Sequence, residues 1–114
     1  MVRSRLRPVS ARRLHETWLY QYRRKQFFAV HPYCQVFLAE HGIDEAEAIR
    51  QRGCVLLNGT PVTIPLATEL HHRNKRRGAD LLDQSEWLAV SGEAHRRIEE
   101  QKDWARLAGY LHDF

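Results

Sequence analysis

The dipeptide Asn58-Gly59, set between the β-prone runs Cys54-Val55-Leu56-Leu57 and Pro61-Val62-Thr63-Ile64, constrains this chain more than any other short feature. A two-residue hairpin loop needs positive φ at both central positions, which Asn and Gly accept readily, so residues 54–64 are read as a β-hairpin. Helical patterns lie on both sides of it. The expected class is therefore α+β, and at 114 residues the chain is expected to form one small domain.

From Ser10, an N-cap candidate, Leu14, Trp18, Leu19 and Tyr22 recur at helical spacing and continue into Phe27, Phe28 and Val30. This predicts an amphipathic helix with an aromatic inner stripe and an Arg/Lys outer face. His31-Pro32 ends it, because the residue before proline is pushed out of the α region. A short helix is expected from about Tyr33 to Gly42. Asp44 then caps a third, with Glu47 at capping-box spacing and Gly53 as the stop. After the hairpin, residues 66–72 read as a strand, 73–78 as a basic loop and 85–90 (SEWLAV) as a short buried strand. A helix follows from Ser91, and Asp103 is expected to cap a last turn stopped by Gly109.

Charge is unevenly placed. The chain carries 18 Lys+Arg against 14 Asp+Glu, but the first 25 residues are dense in cations with one acid, Glu16. Residues 1–9 read as a flexible basic arm and 10–114 as the domain. Clustered cations attract phosphates, which makes a nucleic acid the expected partner. No segment approaches the roughly 20 apolar residues that cross a bilayer, so no membrane partner is expected and the chain reads as a soluble cytoplasmic protein. Cys34 and Cys54 are too few for a disulfide framework and too far apart for a local metal knuckle.

Glu69-Leu70-His71-His72 precedes the basic loop residues Arg73, Lys75, Arg76 and Arg77. An adjacent pair in a chain with seven histidines means little alone. Successive strand side chains point to opposite faces, so His71 and His72 are not expected to ligate one ion together. One can bind metal while the other faces substrate. His95 lies 24 residues after His71 on the following helix, and Glu99 shares its face at i+4. Strand, partner strand and returning helix could thus close a divalent-metal site.

The ordered runs ATELHHRNKRRGADLL, WLAV and SGEAHRRI, with YRRKQFFAVHPYC and DWARLAGYL as flanks, resemble the HNH endonuclease family, particularly small phage and prophage members. The resemblance spans roughly residues 22–111. It implies a ββα-metal core over about 66–102, with the N-terminal basic helix, the short helices and the hairpin as additions. It implies His71 and His95 as metal ligands and His72 as general base; Glu99, by its spacing from His95, could supply a further oxygen ligand or orient that imidazole. It further implies one divalent ion (Mg, Mn, Ni or Zn) and DNA phosphodiesters as substrate. A bacterial host cytoplasm and phage packaging proteins are the setting that such relatives suggest. Arg73, Lys75, Arg76, Arg77, Arg96 and Arg97 would contact the phosphate backbone with low sequence specificity.

Two departures from the family pattern matter. The position of its middle Asn, which orients the base, holds Glu86 here, with Asp83 nearby; an ionised carboxylate accepts hydrogen bonds but cannot donate. The four positions of the family's zinc-knuckle thiolates hold Cys34, Phe37, Ser91 and Ala94. No structural zinc is therefore expected, and apolar packing around Val36, Phe37 and Leu38 is expected in its place. Both departures motivate an alternative expectation, a non-catalytic nucleic-acid-binding or assembly module on the same scaffold.

Overall fold

The computed structural model describes residues 11–74 and 82–112, with side chains of the first helix from residue 17 onward. The expected arm over 1–9 and the loop cations Lys75, Arg76 and Arg77 lie outside the described residues. Helices α1 (Ala11–Val30), α2 (Gln35–His41) and α3 (Glu45–Arg50) lead into strands β1 (Cys54–Leu57) and β2 (Thr60–Thr63). Strand β3 (Glu69–His72), a 3-10 turn (Gln84–Glu86), strand β4 (Trp87–Val90) and helices α4 (Gly92–Glu100) and α5 (Lys102–Ala108) complete the order. The two sheets are separate antiparallel pairs, β1 with β2 and β3 with β4, so the fold is α+β with β3, β4 and α4 in ββα order. Among the described residues no helix is long and apolar enough to cross a membrane.

Local chemistry explains most boundaries. Asn58 and Gly59 both take positive φ, 51° and 81°, as a two-residue hairpin turn demands. Asp44 caps α3 by accepting the Glu47 N–H at 3.2 Å. The Glu47 carboxylate is engaged by Arg50 and Gln51. That helix ends at Arg50, three residues before Gly53. Asp83 accepts from both the N–H and the hydroxyl of Ser85, which winds 84–86 into the 3-10 turn and delays β4 to Trp87. The strand expected over 66–72 begins only at Glu69, because the chain first changes partners. Cys34 N–H donates to Pro65 C=O and Ala67 N–H to Pro32 C=O, both at 2.9 Å, before Thr68 N–H reaches Val90 C=O. The last helix starts at Lys102, ahead of the expected cap; Asp103 sits in its first turn and pairs with Arg106.

Two of the three apolar clusters among the described residues meet on β4, all four of whose residues are buried. Leu88 and Val90 pack with Cys34, Val36, Ile98 and Leu111; Trp87 and Ala89 pack with Phe27. The hairpin makes a third cluster with α2 and α3 through Leu38, Ala48, Val55 and Ile64, and Phe37 touches two of the three. The expected inner stripe of α1 needs correction. Trp18 and Tyr22 are exposed and stack on each other, centroids 5.4 Å apart, while Tyr20 and Phe27 face Trp87. At 100° per residue Trp18 and Phe27, nine positions apart, fall on opposite sides of a helix, so one stripe cannot hold both.

Gly53 sits at φ 82°, and a Cβ there would meet the Tyr33 ring at 2.6 Å, whereas Gly59 has open space around it. Gly53→Ala should therefore destabilise the fold by roughly 2 kcal/mol or more, against about 1 kcal/mol for Gly59→Ala. Urea denaturation of the two variants checks the order.

Candidate metal centre

The register of the β3–β4 ribbon places Glu69 opposite Val90 and His71 opposite Leu88, with Leu70 opposite Ala89 and His72 opposite Trp87. Paired residues share a face and neighbours alternate. Glu69 and His71 thus project toward α4, and His72 toward α1. Ser91 caps α4 by accepting the Ala94 N–H at 3.1 Å, and Ile98 docks that helix into the core. His95 and Glu99, one turn apart, are carried beside β3.

His71 is the one polar residue in the buried set of described residues. Its Nε2–H donates to the Tyr110 carbonyl at 2.6 Å, which leaves Nδ1 as the bare nitrogen. His95 Nδ1–H donates to Glu69 Oε1 at 2.9 Å, which leaves Nε2, 3.7 Å from Glu99 Oε1. The two rings meet edge to face, centroids 5.2 Å apart. Ligand atoms of His71, His95 and Glu99 all lie within 4.8 Å of one another. Three ligands about 2.1 Å from a single ion would sit roughly 3–4 Å apart, so only small adjustments separate this group from a coordination shell. Each imidazole already has its second nitrogen held by an outer acceptor, the arrangement that orients metal-binding histidines.

His72 lies apart from that group. Its Nε2 is 3.4 Å from the Tyr20 hydroxyl, and its ring is stacked near Tyr20 and edge-on to Trp87, both at 6.0 Å. Burial holds both histidines below the ordinary imidazole pKa, and the nearby His95 pushes each the same way; for His71 the Tyr110 carbonyl opposes the shift. Both are thereby kept neutral near pH 7, the form that can bind metal or accept a proton.

Glu86 is placed at the foot of β4. Its backbone C=O accepts the Arg73 N–H at 2.8 Å, and its carboxylate accepts from His112 Nδ1 at 2.9 Å. Of the expected phosphate contacts, Arg96 is exposed on α4. Arg97 is instead occupied within the chain, with its guanidinium 3.6 Å above the Trp104 ring and 3.4 Å from Glu40. Arg73 is part-buried beside the ribbon. The four positions matched to knuckle thiolates do converge, because Cys34, Phe37, Ser91 and Ala94 all line one cavity of about 200 Å³. There Cys34 is fully buried among apolar side chains and Ser91 serves as the helix cap.

Reading the sequence missed Glu69, Tyr110 and His112. Glu69 precedes His71 by two on the same strand face, a spacing visible in the sequence; the Tyr110 contact is made by a backbone carbonyl, which no residue type advertises. No protein-family model, characterised protein or solved structure matches the chain.

Because the folded pKa values of His71 and His72 are depressed, the unfolded chain binds more protons as pH falls below about 6.5. Their contribution is present above that pH and lost as pH falls toward the folded values. Urea midpoints of metal-free protein should drop between pH 7.5 and 5.5, and less steeply in His72→Gln.

Proposed function

We propose that the chain is an HNH-like, metal-dependent nuclease that hydrolyses phosphodiester bonds in DNA. The observation that carries the reading is the His71–His95–Glu99 group at the corner of a ββα unit, with one bare nitrogen on each imidazole. Convergence of Cys34, Phe37, Ser91 and Ala94 on one cavity supports it independently, since that is where the resemblance would put a knuckle. His71, His95 and Glu99 would hold one divalent ion, which supplies Lewis-acid stabilisation of charge on the phosphodiester. His72 would act as general base, accepting a proton from water in the neutral form that burial favours. Glu86 would position the end of β3 through Arg73. Arg73 and Arg96, with Lys75, Arg76 and Arg77, would meet the phosphates, and Arg97 would serve packing. A phage origin and packaging partners remain part of the proposal through the resemblance alone.

One observation favours the second reading, a DNA-binding or assembly module without cleavage. His72 faces Tyr20 and Trp87, across the ribbon from the metal group, a placement that suits a packing role. A plasmid assay separates the two. Wild type with Mg²⁺, Mn²⁺ or Ni²⁺ should nick supercoiled DNA and stop in EDTA, and His72→Ala should lose about a hundred-fold or more in rate. Intact plasmid with retained DNA binding would establish the second reading, and unchanged cutting by His72→Ala would remove His72 from the chemistry.

A further inference from the structure

The contacts around the end of β3 reach a part of the chain that the HNH-like reading leaves unused. Gly109 closes α5 in a left-handed conformation and turns the chain back, with Tyr110 N–H donating to Ala105 C=O at 2.8 Å. Tyr110 and Leu111 are then sunk in the core, and the Tyr110 ring lies against Trp104. This anchoring presents the Tyr110 carbonyl to His71 Nε2 at 2.6 Å. Two residues on, His112 N–H donates to Arg73 C=O at 2.7 Å. The segment therefore runs beside β3, whose one strand partner among the described residues is β4.

Three bonds close a ring directly after His72. Arg73 N–H donates to Glu86 C=O, His112 N–H donates to Arg73 C=O, and the His112 ring donates to the Glu86 carboxylate. Arg73 is held from both sides, and the strand end cannot shift without breaking one of the three.

We infer that the C-terminal segment Gly109–His112 is a positioning element of the metal centre, in which Tyr110 sets the tautomer and aim of His71 and the His112–Glu86 pair pins the strand that carries both histidines. For its consequence this rests on the metal-site reading, but the geometry stands without it. Outer acceptors of this kind fix which imidazole nitrogen is bare. His112 contacts Glu86 through its ring and Arg73 through its backbone, and acts through them and the neighbouring carbonyl.

The test uses the full chain, metal-free, with His112→Ala, His112→Gln, Glu86→Ala and the double His112→Ala/Glu86→Ala. Long-range ¹H–¹⁵N spectra of the imidazoles should give His71 as a single Nε2–H tautomer in the wild type and a mixture in His112→Ala. Titration with Zn²⁺ should show about a ten-fold loss of affinity in either alanine variant. The double should be no weaker than either single, and His112→Gln, which keeps a donor, should return most of the loss. An Nδ1–H tautomer in the wild type, or unchanged spectrum and affinity in His112→Ala, overturns the inference. If the wild type takes up no zinc while the His71 tautomer still depends on His112, the positioning role stands and the metal reading falls.

Discussion

Strand β4 is only four residues long, yet it is buried on both faces and every other part of the site takes its position from it. Trp87 and Ala89 receive α1, and Leu88 and Val90 receive α2, α4 and the C-terminal segment. Because β3 pairs with β4 residue for residue, this two-sidedness also sorts the polar side chains. Glu69 and His71 are delivered to α4, and His72 to the aromatic side. A one-residue slip of register would exchange the two histidines. Such a slip would also turn Leu70 away from the Phe27, Trp87 and Ala89 cluster against which it packs.

Where local chemistry decides, the sequence was readable. Asn58-Gly59, Asp44 and His31-Pro32 act within four residues of themselves, and the turn, cap and break they imply all occur; the helix expected from Ser91 begins at Gly92, with Ser91 as its cap. The α1 stripe was misread for a different reason. Leu14, Trp18 and Tyr22 form a valid helical row, but which row is buried depends on where Trp87 lies, nearly 70 residues away. The strand over 66–72 shortened because residues 65–67 pair instead with the Pro32–Cys34 turn.

The candidate site divides along the same line. His71, His95 and Glu99 follow from strand alternation and i+4 spacing, and they do come together. The groups that orient them are non-local or lie in the backbone. Glu69 was visible as a same-face neighbour of His71, but the Tyr110 carbonyl and His112 reach β3 only through the fold of the last helix. Glu86 likewise acts through a contact 26 residues away.

The cavity at Cys34, Phe37, Ser91 and Ala94 bears on how so small a domain is held together. One thiol is enclosed by Val36, Val90 and Ile98, and Arg97 ties α4 to α5 over Trp104 and to α2 through Glu40. Apolar burial and a cation–π contact thus join α2, α4 and α5. The side chains that give this stabilisation and the proposed metal ligands are then separate sets, although α4 carries members of both. X-ray absorption on zinc-loaded protein tests that separation most directly. The expected spectrum has one zinc per chain with nitrogen and oxygen neighbours alone at about 2.0–2.2 Å and outer-shell scattering from two imidazoles. Sulfur at about 2.3 Å, or no stoichiometric zinc, would contradict it.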